Sequence, residues 1–196
     1  MMILSWRDLA LLTVRDPDQA AQILMAMRLP RDVLWTGLFL VAVLNTLVVV
    51  SFSLVMSTTS EGPGLAVTPF VSFAVAVASI VAMVYVLHYV GRGLGGDGQL
   101  PDMMVLMVWL QGLQVLAQAL IAVVSLAVPA VTGFLVLIFV IAGLHISVQF
   151  VKKVHGFENA WKAAGVLLAS VLALTLVLTV LISLFGGPNV GATGNV

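Results

Sequence analysis

A chain of 196 residues with 62% hydrophobic side chains, 8% charged side chains and a mean hydropathy of +1.20 is not a soluble globular domain. Such domains carry about 45–50% apolar and about 25% charged residues. Eight Lys/Arg against eight Asp/Glu leave no net charge, which argues against nucleic acid and against a strongly polybasic surface binder. The absence of cysteine excludes a disulfide framework, thiolate metal sites and cysteine nucleophiles. What remains is an all-α polytopic membrane protein with little aqueous mass.

The first 32 residues read as a pair of short cytoplasmic amphipathic helices. Ser5-Trp6-Arg7-Asp8 forms a capping box that opens a helix through Val14, with Leu4 placed to staple against Leu9. Asp16-Pro17-Asp18-Gln19 opens a second helix, with Asp16 as N-cap, Pro17 at the first helical position and Gln19 at the third. Its apolar stripe is Ala20, Ile23, Leu24 and Met27, spaced i, i+3, i+4, i+7. Pro30 ends it. Such a pair either grips the membrane or a partner at the interface, or caps the cytoplasmic ends of a bundle.

A helix needs roughly 20 mainly apolar residues to cross the hydrocarbon core. Five stretches qualify, at about 33–56, 65–90, 103–128, 131–151 and 163–185, and none contains Lys, Arg, Asp or Glu. The connections between them are 57–64, 91–101, a tight turn at Val128-Pro129-Ala130, and 152–162. A flexible, Gly-rich extracytoplasmic tail follows at 186–196. A single span from 103 to 151 would be about twice as long as the bilayer is thick, and Pro129 supplies the break. The first span is too long and starts too late for a cleavable signal peptide.

Arg7, Arg15, Arg28 and Arg31 precede the first span, Arg92 follows the second, and Lys152, Lys153 and Lys162 lie between the fourth and fifth. All eight basic residues therefore share one side, which predicts a cytoplasmic N-terminus and an extracytoplasmic C-terminus.

Gly91-x-Gly93-x-x-Gly96 has the form of a dinucleotide fingerprint, but that motif needs a preceding strand, a following helix and an acidic residue about twenty positions on. A span precedes it, another follows, and the carboxylate is missing. The glycines instead allow a compact loop under the bilayer, and Pro101-Asp102 begin the third span.

The run His88-Tyr89-Val90-Gly91-Arg92-x-Leu94-Gly95-Gly96-x-Gly98, then Asp102 and Trp109, resembles the bacterial branch of the Yip-domain family of Ypt/Rab-interacting membrane proteins. Asp16-Pro17-x-x-Ala20-Ala21-x-Ile23-Leu24 and His155-Gly156-Phe157-x-x-Ala160-Trp161-Lys162-Ala163 are similar to the same pattern. The resemblance covers roughly residues 10–185 and implies a five-span bundle with a cytoplasmic N-terminus. Eukaryotic members are associated with vesicle traffic and Rab GTPases. Their long N-terminal segment and Asp-Leu-Tyr-Gly-Pro motif have no counterpart here, and the Ala/Val/Leu/Gly-heavy composition looks bacterial, so that role is not expected to carry over.

No catalytic residues are expected. The span serines (Ser51, Ser53, Ser72, Ser79, Ser125, Ser147, Ser170, Ser183) include none in a G-x-S-x-G context. Ser147 lies two residues from His145, so the two point to different helix faces. His88, His145 and His155 show no metal-ligand spacing, so neither a metal nor another cofactor is expected. Ion-coupled transport normally shows intramembrane Asp or Glu, and the spans have neither.

Amide and imidazole groups do stand out. Gln111, Gln114 and Gln118 repeat at i, i+3, i+7 on the third span; His145 and Gln149 pair at i, i+4 on the fourth; His88 ends the second; Asn45 lies mid-way along the first. Such groups serve either as interhelical hydrogen bonds worth about 0.6 kcal/mol each, or as the lining of a cavity for a lipid headgroup or small solute. Because amides facing lipid are costly, Gln111, Gln114 and His145 are expected to turn inward, toward one another or toward His88. Small-residue ladders, Ala74/Ala78/Ala82 and Gly165/Ala169/Ala173, offer packing faces within a bundle or across a dimer.

These features favour a non-enzymatic inner-membrane protein that acts through contacts with lipids, another membrane protein or a second copy, as an accessory subunit of a larger complex. The alternative is a small transporter or lipid-handling protein using the polar face.

Overall fold

The computed structural model describes residues 5–57 and 69–184. Leu4, the loop from 58 to 64, the opening of the second span at 65–68 and the tail at 186–196 lie outside the described residues.

The described residues form helices throughout: α1 (Trp6–Arg15), α2 (Pro17–Ala26), α3 (Arg31–Ser57), α4 (Pro69–Gly93), α5 (Leu100–Ala127), α6 (Pro129–His155) and α7 (Ala160–Leu184). The local signals work as read. The Ser5 hydroxyl accepts from the Asp8 amide at 3.2 Å while the Asp8 carboxylate accepts from the Ser5 amide, closing the capping box. Asp16 caps α2 through the Gln19 amide at 3.0 Å, with Pro17 leading the helix. Pro129, which lacks an amide donor, starts α6 directly after α5 ends, so the 103–151 stretch is two helices.

Helices α3 to α7 are each long and apolar enough to cross a membrane, five among the described residues. Several outrun the apolar stretches: α4 continues through Gly93, α5 begins at Leu100, α6 runs on to His155 and α7 begins at Ala160. The reason is physical. Hydropathy marks the part matched to hydrocarbon, whereas the backbone hydrogen-bond ladder continues through any residue that tolerates helical angles.

The helices close into a ring. α3 packs on α4 and α5, α5 on α6, α6 on α7, and α7 returns to α4. α1 and α2 pack on each other and against α6, and α2 also touches α5. The core is concentrated at one end. Its members come from the first half of α3 (Leu34, Leu38, Ala42), the second half of α4 (Val84, Leu87), the first half of α5 (Met103, Leu106), the last turns of α6 (Phe150, Val151) and the start of α7 (Ala163, Val166). That end carries the basic residues, and further along the bundle a groove opens between α3, α5 and α6.

On α2 the buried face is Pro17, Ala20, Ala21 and Leu24. Met27, expected in the stripe, is exposed because the helix ends at Ala26 and the chain then turns toward α3. The pair is therefore docked on the bundle, while Leu11 and Val14 of α1 face outward.

Candidate functional site

Two segments far apart in sequence meet at the basic end. The α4–α5 connection, rich in glycine, wraps the last residue of α6, His155, which is 2% exposed. A methyl group at Gly91 would overlap the His155 ring, and one at Gly96 would stand 2.6 Å from its Cβ. Neither glycine has a positive φ, so space rather than backbone freedom requires them. The loop is tied down by backbone bonds: the Gly96 amide donates to the Gly91 carbonyl at 2.9 Å and the Asp97 amide to the His155 carbonyl at 3.3 Å. With Gly91 and Gly96 committed to close packing against a side chain, the dinucleotide reading loses its geometric basis as well.

His155 is fixed from the other side too. Its Nδ1 lies 3.2 Å from the Val151 carbonyl, and its ring stacks on Phe157 at 5.4 Å between centroids. Lys162 Nζ sits 4.8 Å from the Phe157 ring centroid, a cation–π contact. Gly156 then ends α6 in the left-handed conformation, at φ 65°. The motif from His88 to Gly98 and the motif from His155 to Ala163 are thus two halves of one packed unit.

Beside this unit lies a polar cavity of about 590 Å³, bounded by His88, Arg92, Asp97, Gln99, Leu100 and loop glycines. His88 is 8% exposed, and its Nδ1 is buried without a hydrogen-bond partner. The expected link between His88 and the glutamines is absent. His88 borders the end cavity, whereas the glutamines line cavities further along the bundle.

Gln114 and Gln118 line a largely apolar groove of about 760 Å³ between α3, α5 and α6, together with Val48, Phe52 and Phe139. Gln114 and Ser147 also border a second cavity of about 230 Å³, and Gln111 and Ser79 stand between that one and a third. Gln111, Gln114 and Gln118 are all half-buried. His145 departs from expectation: it is exposed on the outer side of α6 and reaches neither the glutamines nor His88. The reason is register. α6 buries Ile146, Phe150 and Val154 at i, i+4, i+8, and one residue back is a rotation of about 100°. Gln149 shares His145's side of the helix but is half-buried.

The small-residue ladders also stand largely outside the seam. Ala74, Ala78 and Gly165 are exposed, and Ala82, Ala169 and Ala173 are half-buried. A methyl group at Gly165 would meet nothing. The positions α7 does bury are Ala163, Val166 and Ser170.

Sequence reasoning passed over His155 and Arg92 as site residues. A signal was present in the dense glycines at 91–98, because several small residues close together imply a bulky side chain packed against them. It also missed the clasp that docks α1: Trp109 Nε1 donates to the buried Thr13 hydroxyl at 2.9 Å, and Trp6 stacks on Trp109 at 5.7 Å. No group of three or more His, Asp or Glu able to hold a metal occurs among the described residues.

The ring of apolar helices, docked N-terminal pair and small connections define a multi-pass membrane protein. The Yip1 domain matches residues 11–182, and the chain belongs to that family. No curated protein and no solved structure gives a match.

Proposed function

We propose that the protein works without catalysis of its own, in the inner membrane of a bacterium, through contacts with lipids and with other membrane proteins. On this reading it is an accessory subunit of a larger membrane assembly, with the basic end in the cytoplasm. The observation that carries it is the contrast between the bundle's two halves. Near the basic end the helices bury a continuous core; beyond it they part into a groove of about 760 Å³ with apolar walls. Lipid and protein surfaces are equally apolar in a bilayer, so the bundle gains by filling such a groove with acyl chains or a neighbouring helix. Purification of the whole chain from native membranes in mild detergent, with mass spectrometry of the intact particle, tests this. Retained lipid or a stoichiometric membrane-protein partner is expected. A lone, lipid-free monomer that remains folded would overturn it.

A second reading, a lipid-handling or small-solute transporter, is favoured by one observation: Gln111 and Gln114 border successive cavities, so polar groups stand at each junction. Liposomes containing the protein would then pass lipid or solute across the bilayer, and Gln114→Leu would abolish that movement. Under the first reading Gln114→Leu lowers stability only modestly and the liposomes show no flux.

A further inference from the structure

All the Trp and Tyr residues of the chain, four and two in number, belong to the half of the molecule that carries the basic residues. Trp35 lies four residues into α3, Tyr89 four residues before the end of α4 and Trp161 one residue into α7, and all three are exposed. At a rise of 1.5 Å per residue they stand within about 6 Å of the helix ends. Exposed Trp and Tyr at one level of a bundle mark the boundary between headgroups and acyl chains. Trp109 is rooted deeper. It lies nine residues into α5, about 13 Å along the axis, and six residues past Met103, where the apolar stretch begins. Its side chain leans back toward the helix start, which brings the indole to the lower edge of that boundary. α1 is held on this indole. Trp6 stacks on it at 5.7 Å, and the Thr13 hydroxyl, seven residues on, accepts its N–H at 2.9 Å. Both ends of the 10-residue helix are therefore fixed beside this level of α5, not above the end of the bundle.

The side that α1 turns away from the bundle is apolar. Leu9 and Thr13 point inward, whereas Leu11 and Val14 are 57% and 63% exposed. At about 100° per residue, Leu11 and Val14 flank Arg7, and Asp8 and Arg15 share a strip about a quarter-turn further round. The helix thus has an inward side, an apolar outward side and a charged edge. We infer that the outward side of α1 is immersed in the lipid leaflet, at the boundary of headgroups and acyl chains, so that the bilayer itself is what covers Leu11 and Val14. An interfacial helix sinks about 5–10 Å into that boundary, which is the level that Trp109 sets. Its outward side is then continuous with the lipid-facing surface of the crossing helices on which it rests. Arg7 reaches back to the headgroups along its aliphatic stem, and Asp8 and Arg15 lie along the water side. Residues 5–32 hold four Arg and four Asp, so no net charge draws this segment to anionic lipid. Burial of apolar area is the attraction.

The inference depends neither on what fills the groove between α3, α5 and α6 nor on which side of the membrane the basic end faces. The chain has no cysteine, so single-cysteine variants need no other change. Leu11→Cys, Val14→Cys and Arg15→Cys each replace an exposed side chain, and none of the three makes the contacts to Trp109. Each variant of the whole chain is labelled with a nitroxide and reconstituted in phosphatidylcholine vesicles, with a water-soluble nickel chelate on both sides of the bilayer. Paramagnetic resonance then compares collisions with oxygen, which concentrates in lipid, and with nickel, which stays in water. Oxygen collisions should exceed nickel collisions at positions 11 and 14, and the order should invert at 15. Adding phosphatidylglycerol should leave the depths of 11 and 14 unchanged, because apolar burial and not charge holds the helix there. Nickel collisions in excess at 11 and 14 would put the outward side in water. Protection from both reagents would mean that a second copy or another protein covers it. Either result, or an excess of oxygen at 15 as large as at 11 and 14, would overturn the inference.

Discussion

His155 depends on what its neighbours lack. Its ring fills space that side chains at Gly91 and Gly96 would otherwise claim, and the loop amides then reach backbone acceptors on either side of it. Overpacking of this kind costs about 1–3 kcal/mol in an already filled site. Gly96→Ala should therefore lower the melting temperature of the detergent-solubilised protein, and Gly91→Ala should lower it further because the overlap there is greater. Gly93→Ala is the control. A methyl group there meets nothing, so stability should hold or rise slightly, as Gly→Ala does where the backbone allows it. At Gly91 the clash is with the ring atoms alone, so Gly91→Ala should cost clearly less in a His155→Ala background. Equal costs in both backgrounds would show that the loop fails for another reason.

Among the elements, α1 shows how a short helix is held by few contacts. Its capping box fixes where it starts, but a 10-residue helix is marginal in water without tertiary support. That support is Leu9 and Thr13 on the buried face, with Trp6 stacked on Trp109. The Lys153–Asp18 ion pair at 3.3 Å, about one-third exposed on both sides, adds little beside them. Trp109→Phe keeps a ring but loses the donor to Thr13, a loss of about 0.5–1.5 kcal/mol. Amide hydrogen exchange should quicken through α1 while the membrane-crossing helices keep their protection; unchanged exchange in α1 would mean the clasp is not what docks it. The start of both short helices was legible in the sequence, since Ser5, Asp8, Asp16 and Pro17 act within one turn. The inward face of α6 was not. His145 and Ile146 are both compatible with burial by cost, and only the partner helices decide which of two adjacent positions turns in. Within the bundle the same holds for α7: its buried positions among the described residues are Ala163, Val166 and Ser170 rather than Gly165, Ala169 and Ala173.

At the scale of the whole molecule, the basic residues gather where the chain is best packed. Lys153 pairs with Asp18 of α2, Lys162 rests over Phe157, Arg28 lies within range of Asp102, and Arg92 closes α4 beside the same loop. Desolvating so many charges in a bilayer core would be prohibitive, so this end must lie in water or at the headgroups. The proposed orientation, with this end in the cytoplasm, rests on the bias of the basic residues. Eight basic residues lie at this end, and no Lys or Arg occurs in 57–64, in the Val128–Ala130 turn or after α7. Short connections with such an imbalance are retained on the cytoplasmic side. An odd number of crossings then puts the two ends of the chain on opposite faces. A phosphatase that folds only outside the cytoplasm should be active when fused after Val196 and inactive when inserted at Gly95. A reporter that works only inside should give the reverse pattern. The inverted result at both positions would turn the molecule over, moving the glycine unit and its cavity to the outer face. Agreement at only one position would mean that the number of crossings is even, which the ring of five helices does not permit.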